Sequence, residues 1–507
     1  MKNKKMKKQR KSVSEAKQTR RVYVVTAIAY ANAAPHIGHA LEAVQADTVA
    51  RFYKQLLGPE NVRLQTGMDE SGQKQYETAK KKNMTPRALA DQSAASFRKL
   101  WSKLDIAYDR FIRTTDSDHI ASSQKIWQAC QAAGDIYKKK YEGLYCVGCE
   151  SFKTEKDLVN GKCLDHKTVP ERLTEENYFF QLSKYSEKIR EIIESRQVNI
   201  VPETRRKEFL SLLTKEGLAD VSISRQKNRL PWGVPVAGDL EQVMYVWFDA
   251  LTNYMTGVGY GDDSPAAKAL YKKWWQDPAT EIIHVIGKDI IRHHAGIWLG
   301  MLLSAQLRLP STILVHGFVT SQGQKMSKTV GNVVDPAAMV EKYGAQPMRY
   351  YLLREIPSSE DGDFSEAQFE KRYTADLAHD LGNLFSRLTN MIEKYGQDGT
   401  KVKPVKPDFT ALEPMVAAFQ LHRALESIWK KVEAANKYID QEKPWEKFKT
   451  EPDSVQRVLS ELHAQLLETA ILLEPFLPEV GKTIATHLRQ KKISKATPLF
   501  PPLTPKK

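Results

Sequence analysis

The chain of 507 residues is poor in cysteine, with four, and it has no run of ~18 or more apolar residues. The second absence excludes a membrane-spanning helix and membrane partners of that kind. The N-terminus also lacks the apolar segment of a secretory signal. A cytoplasmic location is therefore expected, with the cysteines reduced and better suited to metal binding than to disulfides. No internal repeat is apparent. What is present, 41% hydrophobic and 27% charged residues, describes a globular protein of roughly two to four domains.

The net charge of +15 is uneven. Residues 1–21 hold ten Lys/Arg against one Glu, or +9, with almost no apolar content. That composition predicts a disordered tail. It either attracts phosphate polymers without specificity or is a solvated extension. The lysine-dominated charge, without an amphipathic pattern, argues against a transit peptide.

β-branched and aromatic residues at 21–30 predict a buried strand, and apolar residues at helical spacing follow from Gly38 to Gly58. A second strand pattern spans 61–72, then a helical region runs to about Gly134. This is the start of a parallel α/β sheet. Residues 135–235, with clustered Cys, Gly, Pro and charge, read as an insertion, and the α/β signal returns at 242–254, 281–294 and 311–319. From about 371 to 490 the pattern is helical throughout, and the Pro/Lys-rich end is expected to be loose.

Two short motifs carry chemistry. In "PHIGHA" a helix begins at Gly38 between His36 and His39. Unpaired N–H groups and the helix dipole favour an anion there, and the imidazoles add donors. In "GQKMSKTVGN" Lys325 and Lys328 flank Met326-Ser327 on a glycine-bounded loop, suited to closing over phosphates. Cys146-x2-Cys149 and Cys163-x2-His166, 13 residues apart, suit a tetrahedral Zn2+ with a full ligand set, hence a structural ion. Reduced, unliganded cysteines are the other reading. Cys130 is left over.

"HIGH" (36–39) followed by "KMSKT" (325–329) resembles the two signatures of class I aminoacyl-tRNA synthetases, with Thr329 at the usual final Ser. "AIAYANAAPHIGHA", "YCVGCESF", "EENYFFQLSKY", "YVWFDALTNY", "HVIGKDI" and "KMSKTVGNVVDP" narrow the likeness to the methionyl-tRNA synthetase family, from about Val22 to about residue 480. The resemblance implies a Rossmann-type parallel sheet, halved as 22–134 and 236–320 by a zinc-knuckle insertion at 135–235. A signature loop and stem-contact region (321–370), a helical anticodon-binding domain (371–490) and a loose tail (491–507) would follow.

The implied reaction joins methionine to tRNA(Met) through a methionyl-adenylate made from ATP with Mg2+. By resemblance His36, His39, Lys325, Lys328 and Arg225 are catalytic, and Gly38, Gly287, Asp289, His316 and Ser327 join them around ATP. Ile28, Tyr30, Trp247, Ala250, Tyr254, Ile290 and His294 match the methionine pocket, and Asp69 the partner of the substrate ammonium. One departure stands out: the family usually has His where this chain has Ser71. Asn383, Arg387 and Trp445 resemble anticodon contacts. The chain ends soon after this region, so a monomer is expected. The other readings are a different class I synthetase, such as the cysteinyl enzyme, and a catalytically silent RNA-binding paralogue.

Overall fold

The computed structural model describes residues 20–149, 151–153, 155–164, 167–321, 323–326, 332–396 and 405–503. Its organising element is the strand β1 (Arg21–Thr26), in which Val22–Thr26 are all buried. Burial on both faces is the mark of a central strand in a parallel sheet. The side chains alternate between two cores. Val22 and Val24 enter one, and Tyr23 and Val25 enter the other.

β1 is followed by β2 (Ala29–Tyr30), β3 (Val62–Asp69), β4 (Arg110–Arg113), β5 (Asn199–Val201), β6 (Thr280–Gly287) and β7 (Thr312–His316). Across the sheet the order is β5–β7–β6–β1–β3–β4, with β2 prolonging the track of β1 against Met68 and Asp69. All these pairings are parallel, with Val24 opposite Ile283 on one side and Leu64 on the other. The chain reverses direction of travel between β1 and β6. Ligands bind outside the carboxyl ends of strands at such a switch point.

Two features differ from the sequence expectation. β4 lies inside the stretch read as helical; its two apolar residues, Phe111 and Ile112, are too few to register as a strand pattern. β5 lies within the stretch read as an insertion, yet it pairs with β7. The rest of that stretch does leave the sheet. Ile136–Cys146 and Glu171–Phe180 form a long antiparallel pair, from Ile136 opposite Phe180 to Tyr145 opposite Glu171. The cysteines sit at its far end.

Helix α1 (Ile37–Leu57) crosses the sheet from the end of β2. Its apolar face shares one core with α2 (Ala345–Arg354) and with the long helices α3 (Asn383–Tyr395), α4 (Leu421–Glu442), α5 (Pro452–Leu473) and α6 (Pro478–Leu488). The C-terminal segment, expected to be loose, is packed: Ile493, Ala496 and Phe500 are buried in the same core, and the Tyr373 hydroxyl donates to the Pro501 carbonyl at 2.7 Å. Prolines, already restricted in φ, lose less freedom on docking, which offsets the small apolar area.

At the centre of this contact lies a buried ion pair. Arg349 of α2 is 0% exposed and Asp47 of α1 is 1% exposed, with Nη2 to Oδ2 at 2.8 Å. Arg349 also donates to the carbonyls of Phe476 (2.9 Å) and Leu104 (3.2 Å). Asp47 also accepts from Arg51 at 2.8 Å and from the Ala107 N–H at 2.9 Å. Each charge thus has several partners, the condition under which a buried pair is tolerated. Removing one partner strands the other: Arg349→Ala is expected to cost ~3–5 kcal/mol in urea unfolding, and Arg349→Met combined with Asp47→Leu to recover part of it.

Candidate active site

β1 and β2 deliver the chain to the start of α1, where the backbone N–H groups of a first turn need acceptors. Two imidazoles supply them. His36 is the N-cap, and its Nδ1 accepts from the Gly38 N–H at 3.1 Å. His39, at the third helical position, accepts at Nδ1 from the His36 N–H at 3.2 Å. This is a reciprocal capping box built from histidines. The rings stack, with centroids 3.8 Å apart and planes 23° from parallel. An Nδ1 that accepts carries no proton, so each neutral ring bears its proton on Nε2. Burial, then the neighbouring His36 and His316, holds the pKa of His39 well below the usual value.

The second half of the sheet meets this point. His316 ends β7, and its Nε2 lies 3.0 Å from Oε2 of Glu42, one turn along α1 from His39. Nδ1 of His316 donates to the Gly317 carbonyl at 2.8 Å. Burial opposes charge on His316, but the bond to Glu42 outweighs it and raises the pKa; burial raises that of Glu42. A proton is held between them. Gly317 is required where it stands, because a Cβ there would lie 2.1 Å from the Glu360 carbonyl oxygen. Val319–Ser321, three residues beyond the His316 that meets Glu42 of α1, then pairs with Gln324–Lys325 at the start of the second motif. The backbone of Lys325 is described; Ser327 and Lys328 lie outside the described residues. Gly287, at the end of β6, is closely approached by its neighbours: a Cβ there would lie 2.8 Å from the Asp289 carboxylate and 3.6 Å from the His316 ring.

Several of the residues expected around the amino acid, drawn from three segments, touch one another. Tyr30 meets Trp247 edge to face at 6.3 Å, and Trp247 stacks on His293 at 3.8 Å. The Tyr254 hydroxyl donates to Nε2 of His294 at 2.5 Å, while Nδ1 of His294 donates to the Ile290 carbonyl at 2.9 Å. His294 is therefore a neutral ring with a fixed tautomer, and burial lowers its pKa to about 4. Ile28 lies in the short link between β1 and β2, and Ala250 is buried one turn from Tyr254. Asp69 is buried at the end of β3, where Oδ1 accepts the Ser71 N–H at 3.2 Å. Ser71 Oγ lies 3.3 Å from Thr114 Oγ1, which also accepts the Glu70 N–H at 2.9 Å.

Arg225, expected at a phosphate, has aromatic neighbours in this structure. Its guanidinium is buried between the rings of Tyr145 and Tyr245, at 5.1 and 4.8 Å, and donates to the Ser224 carbonyl at 2.7 Å. In this arrangement it ties the insertion to the strand pair beside the site. The thiols of Cys146, Cys149 and Cys163 lie within 4.8 Å of one another, with Cys149 and Cys163 sulfurs 3.5 Å apart. That is far longer than a disulfide and near the sulfur–sulfur edge of a thiolate tetrahedron around zinc. His166 lies outside the described residues. Far from this site, Arg387 meets the exposed Trp445 ring at 5.9 Å and pairs with Asp440 at 2.7 Å; Asn383 is exposed one turn away.

Sequence reasoning missed Glu42, His293 and the Glu70–Arg113 pair (2.6 Å) that braces the loop after Asp69. A carboxylate three residues beyond His39 on the same helix is the signal that could have revealed Glu42. The neutral histidines have a consequence for stability. The folded-state value of His294 lies below that of the unfolded chain, so the unfolded chain takes up its proton first. The contribution is complete above about pH 6.5 and is lost as pH falls toward 4. Between roughly pH 6 and 5, urea unfolding of wild type should lose ~1.4 kcal/mol per pH unit more than that of His294→Gln.

The chain matches a family model described as tRNA synthetases class I (M) over residues 22–163 and 153–389. A second model, the anticodon binding domain of methionyl tRNA ligase, matches 394–499. It is 42% identical to a methionine–tRNA ligase of Clostridium acetobutylicum over 93% of this chain and 74% of the relative. It is 41% identical to that of Brucella suis, over 91% and 90%. Among solved structures, Mycobacterium tuberculosis methionyl-tRNA synthetase in complex with methionyl-adenylate superposes with a TM-score of 0.84 at 38% identity, covering 96% of this chain and 99% of that one. With both models and these relatives spanning nearly all of it, the chain belongs to the methionyl-tRNA synthetases, a class I tRNA synthetase family.

Proposed function

We propose that the protein is a methionine–tRNA ligase whose synthetic site is the cleft between the start of α1 and the end of β7. In the first step the methionine carboxylate attacks the α-phosphorus of ATP and pyrophosphate leaves. In the second, a hydroxyl of the terminal ribose of tRNA(Met) attacks the methionyl carbonyl and AMP leaves. Neither step needs a protein nucleophile. Both depend on placing substrates and on meeting charge as it develops on phosphate oxygens.

The observation that carries this reading is the capped histidine pair. With each Nδ1 accepting from the helix backbone, Nε2 is the nitrogen of His36 and His39 that carries the N–H, in an orientation fixed by the cap and suited to donating to a phosphate. The donors need no reorganisation when the reaction starts. Lys325, Ser327 and Lys328 would close from the neighbouring loop onto the departing pyrophosphate, with Mg2+ accompanying ATP. Gly287, Asp289 and His316 would line the nucleoside side. Asp69 would pair with the substrate ammonium, while Ile28, Tyr30, Trp247, Ala250, Tyr254, Ile290 and His294 enclose the thioether. The wall of rings suits a soft, polarizable sulfur.

Arg225 reaches substrate in this scheme only by leaving its tyrosine sandwich, so its part is a step of closure. Cys146, Cys149, Cys163 and His166 would hold one Zn2+ that stabilises the tip of the long strand pair and performs no chemistry. Asn383, Arg387 and Trp445 would read the anticodon by hydrogen bonding and stacking. The proposal includes a monomer acting in the cytoplasm.

The direct test is amino-acid-dependent ATP–pyrophosphate exchange with each of the twenty amino acids, followed by charging of tRNA(Met). Exchange is expected with methionine alone, and Lys328→Ala is expected to lower it by ~10²-fold or more. Exchange retained within about twofold would remove the loop lysine from the mechanism. Metal analysis should find one zinc per chain, and its removal by a chelator, or Cys149→Ala, should lower the thermal midpoint by several degrees, ~2–4 °C for each kcal/mol lost.

A further inference from the structure

The second motif leaves the fold from a very small sheet. Val319–Ser321 pairs antiparallel with Gln324–Lys325 and, on its other side, parallel with Gly362–Phe364. Thr320 lies opposite Lys325 in one pairing and opposite Asp363 in the other. A hairpin of such short strands is marginal on its own and needs a third strand behind it. Gly362–Phe364 is that strand, and α2 holds it in place. Phe364 is 3% exposed and meets the Tyr351 ring of α2 at 5.1 Å, and the Tyr351 hydroxyl approaches the Asp363 carbonyl at 3.4 Å.

The turn of the hairpin is held by a side chain. Gly323, in that turn, has φ +71°, which side chains disfavour, while a Cβ there would meet nothing within 4 Å. This glycine is thus required by conformation and not by packing. Oδ1 of Asp363 accepts the Gly323 N–H at 2.8 Å and the Thr320 hydroxyl at 2.7 Å, closer than that hydroxyl's 3.3 Å approach to the Gly362 carbonyl. Hydrogen bonds to an ionised acceptor are the stronger kind. Two residues earlier, Asp361 accepts the Phe318 N–H at 2.9 Å and the Lys288 ammonium at 2.7 Å, and Lys288 adjoins Asp289. One carboxylate therefore holds the chain at Phe318, where it leaves the large sheet, and the other holds it at Gly323, just before the motif.

Asp363 is exposed, and a solvated carboxylate is the ordinary state of such a residue. Its contacts give it more to do. A negative charge beside a loop that meets pyrophosphate would repel it, so Asp363 is unsuited to touching substrate. Both donors at its Oδ1 belong to the hairpin itself. Its loss would release the turn without opening a core.

We propose that Asp363 is a positioning residue for adenylate formation, whose carboxylate fixes the turn leading into the second motif and so sets where Lys325 and Lys328 are presented. The assignment rests on the part those lysines play in the proposed reaction.

The test is methionine-dependent ATP–pyrophosphate exchange by the full chain. Asp363→Ala should lower kcat by ~10-fold, the weight of hydrogen bonds to a charged acceptor. The KM for methionine should stay within about twofold and the thermal midpoint within ~2 °C, which separates lost positioning from general damage. Asp363→Asn keeps an acceptor at Oδ1 and should recover kcat to within about threefold of wild type. Thr320→Val removes one donor and should fall between the two. In a Lys328→Ala background, Asp363→Ala should cost no more than about threefold further, because a group it positions is already gone. The assignment is overturned if Asp363→Ala matches wild type within about twofold, or if Asp363→Asn is as slow as Asp363→Ala. It is also overturned if the KM for methionine rises as kcat falls, or if the losses in Asp363→Ala and Lys328→Ala multiply in full. A wild-type chain without methionine-dependent exchange would instead overturn the function on which the assignment rests.

Discussion

The arrangement of the whole molecule depends on one buried pair of charges. Asp47 lies in the middle of the helix whose first residues carry the histidines, and Arg349 lies in the helix that leads to the C-terminal bundle. Apolar contacts alone would let these helices slide, since hydrophobic attraction has no direction. A guanidinium that must satisfy a carboxylate and the carbonyls of Leu104, Pro475 and Phe476 at once accepts one geometry only. The pair therefore sets the register between the catalytic sheet and the helical bundle. A chain that must place the anticodon and the acceptor end of one tRNA simultaneously needs such a register.

The same logic governs the site at smaller scale. The helix beginning at Ile37 would ordinarily be capped by a hydroxyl or carboxylate. Using two imidazoles instead makes the cap and the proposed phosphate donors the same groups. The rings cannot turn without releasing backbone N–H groups, so the cost of orienting the donors is met during folding. His294 follows the same pattern, held by the Ile290 carbonyl on one side and the Tyr254 hydroxyl on the other. In each case a backbone or hydroxyl partner decides which nitrogen carries the proton.

Much of this was legible in the sequence. The run at 21–30 and the helix from about Gly38 carry strong periodicity, and both are present, with the strand broken into β1 and β2. The four-residue edge strand at Arg110 was not legible, because two apolar residues cannot outweigh the helical patterns around them. The docking of Ile493, Ala496 and Phe500 was hidden by the surrounding prolines and lysines. Within the site, Tyr30, Trp247 and Tyr254 were expected side by side where several motifs agreed, and ring contacts through His294 do link them. Arg225 shows the limit. Its sequence neighbourhood says nothing of the two tyrosines, one from the insertion, that close over it. Ser71 was read as a lost imidazole; the structure shows its hydroxyl engaged with Thr114, a partner 43 residues away that no local pattern announces.

β1 has a further consequence. Its odd and even residues feed separate interiors, one shared with the helical bundle and one with the base of the cysteine-bearing arm. Inserting or deleting a single amino acid between Arg21 and Thr26 would exchange the two sets, sending Tyr23 and its hydroxyl contacts with Gln65 and Tyr254 into the wrong half of the molecule. The genetic history of this hexapeptide is thus confined to replacements. Variation in length must be absorbed elsewhere, in the loops between paired strands, where no such parity is imposed.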